Sequence, residues 1–121
     1  MAEDSAQWRT KEVFNRALYD RLDEETGGAG LEIVATLLSV ATTRKLAMLE
    51  AAAADKAEDL ARVAHTAKSG ARSVGLLRLS ALCDMIEHLP PAAPGELAKL
   101  CPDIEREFDD SIAALHKLQQ E

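Results

Sequence analysis

His65, Lys68 and Arg72 are the residues in this 121-residue chain whose types and spacing could do chemistry. They stand in VAHTAKSGARSVG, Val63 to Gly75, with the lysine three and the arginine seven residues after the histidine. In a helix those offsets stack all three on one side. Cations gain nothing for the fold by crowding an imidazole, because they repel its protonated form. A neutral ring is a nucleophile, however. Once it carries a phosphoryl group, each cation can pair with the phosphate oxygens. The pattern makes electrostatic sense when an anion arrives.

A helical wheel places these side chains. With about 100° per residue and Leu60 at zero, Val63, Ala64, Ala67, Ala71 and Val74 fall within about 60° and define a core face. His65 lies about 140° away, Arg72 near 120°, Lys68 near 80°, Ser69 near 180° and Arg62 near 200°. The histidine therefore points to solvent. Ala61, Ser69 and Gly70 are small enough to leave it prominent beside the cations.

The elements that must hold this face are all helical. Ala, Leu, Glu and Lys dominate, and no β-branched run interrupts them. The spacing predicts a first helix from a Ser5 cap through Val13, Phe14, Ala17, Leu18 and Leu22, broken by Gly27 to Gly30. A second runs from about Leu31 to Ala54, with Val34, Leu37, Leu38, Ala41, Met48 and Leu49 inward. Asp55 reads as the N-cap of a third helix reaching about Ser73, with Glu58 completing a capping box. Gly75 breaks it, and a fourth follows with Leu79, Leu82, Cys83 and Ile86 inward. His88 to Glu96 is a loop holding three of the four prolines. The last helix carries Leu97, Leu100, Ile104, Phe108, Ile112, Leu115 and Leu118 on one side, and Pro102 kinks it or marks its start. These elements close as an antiparallel four-helix bundle with an additional N-terminal capping helix, in one domain spanning residues 1–121.

Composition excludes several classes. A net charge of −7 argues against nucleic acid as a partner. Between Leu60 and Cys83 there is no acid, only Arg62, Lys68, Arg72 and Arg78, so one basic patch sits on an acidic body. No apolar run approaches the ~18 residues of a membrane span, and the expected location is the cytoplasm. The initial Met and polar ends read as a freestanding protein, and it is expected to be a monomer. Cys83 and Cys101 lie among leucines with no metal-ligand spacing and read as buried, reduced thiols. Di-metal bundles need inward Glu-x-x-His pairs, but the residues three positions before the three histidines are Arg62, Met85 and Ala113. No protein metal site or cofactor is expected. His88 reads as the end of the fourth helix, and His116 has no assigned role.

AHTAKSGARSVGLLRLSALCDMIE, Ala64 to Glu87, resembles the histidine-containing phosphotransfer (HPt) domains of two-component phosphorelays. Ala64 and His65 match the Ala-His pair and Lys68 the lysine. Ala71, Gly75, Leu79, Leu82, Cys83 and Glu87 fall at the positions expected after it. The likeness covers about residues 13–118. Two departures stand out: the family's Leu is Ala67 here, facing the core, and its Gly-Ser order appears as Ser69-Gly70. The resemblance implies a phosphocarrier rather than an enzyme. His65 would exchange a phosphoryl group with the aspartate of response-regulator receiver domains, and Lys68 would hold phosphate oxygens. Arg62, Ser69, Gly70 and Arg72 would meet the partner. A hybrid sensor histidine kinase is a further implied partner. The nearest acids in sequence, Asp59 and Asp84, are not placed to hold Mg2+ beside His65, so the metal is expected on the receiver. The alternative reading is a helical interaction module of a signalling protein that is never phosphorylated.

Overall fold

Five helices account for most of the chain: α1 (Arg16–Glu25), α2 (Gly30–Ala53), α3 (Ala57–Val74), α4 (Leu77–Glu87) and α5 (Cys101–Gln119). The structure, a computed structural model, describes residues 7–121, and no strand occurs among them. Two 3₁₀ turns, Gln7–Thr10 and Leu97–Leu100, complete the elements. No helix among the described residues is long and apolar enough to cross a membrane.

Contacts at one end of the bundle establish its topology. The Asn15 amide donates to the Gly75 carbonyl (2.8 Å), where α3 ends and α4 begins. Arg16 pairs with Glu121 beyond α5 (2.6 Å), and the Gly30 amide at the start of α2 donates to Asp23 of α1 (2.8 Å). α1 thus lies across the end where α2 and α4 start and α3 and α5 finish, so α2 to α5 alternate in direction. The expected antiparallel bundle with its capping helix is present.

The apolar stripes meet as their periodicity predicts. Val34 and Met48 of α2, Leu60, Ala64 and Val74 of α3, Leu82 and Cys83 of α4, and Ile104 of α5 are buried. Burial of each large aliphatic side chain contributes about 1.5–3 kcal/mol. Among alanines on α3, those side chains let the helices approach closely. Gly70 marks one such approach: a Cβ there would come within 2.6 Å of Leu37 Cδ2 on α2. Below Ala67, where the resembled family has Leu, a small cavity of about 30 Å3 remains, bordered by Leu37, Phe108 and Ser111.

Several local expectations require correction. α1 begins at Arg16, and Ser5 lies outside the described residues. The Asn15 side chain caps α1 by accepting from the Leu18 amide (3.0 Å), which outcompetes helix continuation from upstream. The preceding segment crosses α4 instead, burying Trp8 and tying Arg9 to Asp103 (2.9 Å). Asp55 is no N-cap. It follows α2 in the left-handed conformation (φ 58°), and the amides of Asp55 and Lys56 close back onto Ala52 and Ala51. Its carboxylate accepts from the Gly95 amide (2.8 Å), while Lys56 starts α3 with no side-chain cap, so Glu58 completes no capping box. Pro102 sits in the first turn of α5 and marks its start. Cys83 is buried, and desolvation pushes its thiol up to about 12, whereas Cys101 is only half-buried.

One buried acid was not anticipated. Glu107 on α5 is 2% exposed, with Arg78 Nη1 3.9 Å from Oε1. Burial holds its carboxyl above the usual range; Arg78 opposes that shift and Asp110 adds to it.

Two stability predictions follow from these placements. Gly75 is left-handed (φ 90°), and a Cβ there would stand 2.5 Å from the Asn15 carbonyl oxygen. Gly75→Ala should therefore destabilise the fold by about 2 kcal/mol or more in urea unfolding. For Glu107, the raised folded pKa means its contribution to stability is present in acid and lost as pH rises through that value. Glu107→Gln should be more stable than wild type at pH 7, with the advantage shrinking towards pH 4. Unfolding curves at the two pH values give the difference directly.

Candidate functional site

His65 stands halfway along α3, and 63% of its side chain is exposed. Leu60, Ala64, Ala67 and Ala71 turn the opposite face of α3 into the core, so amphipathic periodicity alone aims the imidazole outward. Only Gly75 and Leu76 separate α3 from α4, which forces the two helices into an antiparallel hairpin. Residues equally far from that turn then face each other. His65 and Glu87 are each eleven residues from Leu76, and Lys68 and Asp84 are each eight.

Both pairs form. His65 Nδ1 lies 2.6 Å from Glu87 Oε2. Lys68 Nζ lies 2.7 Å from Glu87 Oε1 and 3.2 Å from Asp84 Oδ1. The Lys68 side chain is only 15% exposed, its stem lying along the helix seam. Lys68 first, and His65 after it, hold the Glu87 carboxyl below the usual range. Glu87 and then Asp84 hold the Lys68 ammonium above its usual value.

These contacts determine which nitrogen does what. An ionised carboxylate only accepts hydrogen bonds, so Nδ1 carries the proton and donates it to Glu87. Nε2 is left with the lone pair, on a ring that projects into solvent. Glu87 also stabilises the positive charge that develops on the ring when Nε2 attacks an electrophile. The ring's nearest charge is therefore negative. The expectation of an imidazole surrounded by cations is corrected: Lys68 is committed to two carboxylates, and the acids that sequence distance set aside are brought in by the hairpin. Asp84, Glu87 and His88 offer ligand atoms within 4.8 Å of one another, but the Lys68 ammonium already pairs with both carboxylates.

The other expected residues divide. Arg72 and Ser69 are exposed on α3, and Arg72 makes no salt bridge among the described residues. Arg62 is exposed and pairs with Asp59 (2.8 Å). Gly70 does not border the imidazole: it faces Leu37 and Arg44 of α2, where it serves close helix packing. Leu37 fills the space that a side chain at position 70 would need, which accommodates the Ser69-Gly70 order. His88 ends α4, its Nδ1 donating to the Asp84 carbonyl (2.8 Å), as expected of a helix-terminal residue. Sequence reasoning assigned Glu87 no chemical role and Asp84 none at all. Their equal spacing from Leu76 was the signal that could have found them.

The site is thus a surface imidazole with one nitrogen anchored and the other free, mounted on a helical bundle. The family model for the Hpt domain matches residues 32–119 of the 121, and the chain belongs to that family. Hpt domains are phosphocarriers of two-component phosphorelays, not catalysts with their own turnover, and they interact with response-regulator receivers. Among curated proteins and solved structures, nothing matches the chain.

The tautomer is directly measurable. Ring 15N shifts of His65 should show the proton on Nδ1 in the wild type. Glu87→Ala should return the ring towards the mixture of tautomers seen in a free imidazole.

Proposed function

We propose that His65 is the phosphoryl acceptor and donor of this Hpt domain, exchanging the group with the aspartate of a receiver domain. The observation that carries the proposal is the exposed ring whose Nδ1 is bonded to Glu87, which directs Nε2 outward. In the forward step the lone pair of Nε2 attacks the phosphorus of the aspartyl phosphate. The N–P bond forms as the P–O bond to the aspartate breaks, returning that carboxylate to the receiver. Glu87 balances the charge left on the ring, and the reverse step regenerates the free imidazole.

Charge neutralisation and alignment supply most of the catalysis in such a transfer. Lys68, one turn from His65, can swing its ammonium from Asp84 towards the phosphate oxygens while remaining near Glu87. Arg72, two turns along, adds a second cation on the same flank, and Arg62 and Ser69 belong to the surrounding contact surface. The reacting carboxylate and Mg2+ come from the receiver, because Lys68 and His65 already occupy the local carboxylates of this chain. The protein acts as a cytoplasmic monomer between receivers, or between a hybrid sensor kinase and a receiver.

His65→Gln should abolish transfer of labelled phosphate from a phosphorylated receiver while far-UV circular dichroism stays unchanged, since the ring contributes nothing to the core. Label on the wild type should be acid-labile, as expected of phosphohistidine. Lys68→Ala should slow transfer about 10- to 100-fold, the loss of one charge-assisted contact in the transition state. Continued labelling of the glutamine variant would remove His65 from the mechanism.

A further inference from the structure

On the side of His65 that faces the proline-rich loop, α3 and the end of α4 part around an apolar groove of about 320 Å3. Its floor is Leu60 and Ile86, both buried, and Ala61, Pro90 and Pro91 form its walls. Glu87, the hydrogen-bond partner of His65, closes its near end. The opposite flank of the imidazole is polar, with Ser69, Arg72 and Asp84 exposed around Lys68. The histidine thus sits on a boundary between an apolar depression and a charged surface.

The loop that walls the groove is anchored from a distance. Asp55 closes the end of α2 in the left-handed conformation, and its Oδ2 accepts from the Gly95 amide (2.8 Å). Glycine would meet the backbone demand at position 55 more easily. The carboxylate adds a tether from the α2–α3 turn to the far end of the loop.

We propose that this groove takes an apolar side chain of the receiver domain that exchanges phosphate with His65, and that Asp55 is a positioning residue for its wall. The proposal rests on the phosphocarrier reading, and its occupant follows from continuity with the transfer site. In-line attack brings a partner atom to about 3–3.5 Å from the reacting group. Even a small transient interface covers about 600 Å2 per partner, a disc of about 14 Å radius. Centred on His65, such a footprint cannot avoid a groove that begins at Glu87. The centre of a protein interface is apolar and its rim polar. Lys68 and Arg72 then meet the acidic, phosphate-bearing side of the receiver while the groove takes its apolar neighbour.

Two variants test this without altering the site itself. Ala57→Glu puts a carboxylate at the groove's mouth, at the first position of α3, where an acid suits the helix dipole. It lies eight residues from His65, about 12 Å along the helix. Asp55→Ala frees the loop. Each is assayed with phosphoramidate, a small donor that needs no docking, and with whichever phosphorylated receiver domain of a panel labels the wild type. Both variants should match wild type with phosphoramidate. With the receiver, KM should rise about tenfold or more for Ala57→Glu and several-fold for Asp55→Ala, with kcat nearly unchanged. In the wild-type chain, adding unphosphorylated receiver should move the amide signals of Ala57, Ala61 and Ala92. Unchanged KM in both variants, or signal changes confined to Ser69–Ser73, would overturn the groove as the docking site. If phosphoramidate labels His65 but no receiver does, the receiver partnership falls and the groove assignment with it. If neither donor labels His65, the phosphocarrier reading itself fails.

Discussion

The two-residue connection between α3 and α4 is the constraint on which the rest depends. Gly75 can turn the chain left-handed without a Cβ meeting Asn15, so the next helix starts at once and must fold back alongside. Both helices rise by about 1.5 Å per residue, so equal sequence distances from the turn become equal heights. His65 therefore meets Glu87, and Lys68 meets Asp84, without any long-range search. The candidate site is a consequence of hairpin register, and register depends on one glycine.

That register produces a cluster whose members are all paired at rest. Lys68 is shared between Glu87 and Asp84, and Glu87 is shared between Lys68 and His65. Such partly exposed ion pairs contribute little to folding stability, which leaves them free to rearrange. A carrier needs that freedom. Its histidine has to take up an anion and release it, so neither state can be held too tightly. Paired groups that regroup around the incoming phosphate suit this better than a ring of uncommitted cations, which would trap the product.

The rigid part of the molecule lies directly beneath. Alanines on the inner face of α3 bring it against α2 and α4, and the fully buried Leu60, Leu82 and Ile104 hold the helices in place. The N-terminal segment fastens the opposite side of α4 through Trp8 and the Glu12 carbonyl that accepts from the Arg78 amide, while Arg9 ties the same segment to Asp103 of α5. α4 is the shortest bundle helix, yet it carries the carboxylates that orient His65, and it is braced on both flanks.

Helical periodicity by itself determined the bundle, the inward stripes of α3, α4 and α5, and the outward aim of His65, because those properties depend on local spacing around one helix axis. It also determined that Lys68 and Arg72 share the histidine's side of α3. What surrounds the imidazole was decided only by the tertiary structure. Glu87 and Asp84 sit on another helix, and a wheel drawn for α3 carries no information about its neighbour. The same limit misjudged Gly70, whose side of the helix is named only by the arrival of Leu37, and Asp55, whose carboxylate answers to Gly95 forty residues away rather than to its own helix. Local propensity reads one element at a time, whereas the chemistry here is made where two elements meet.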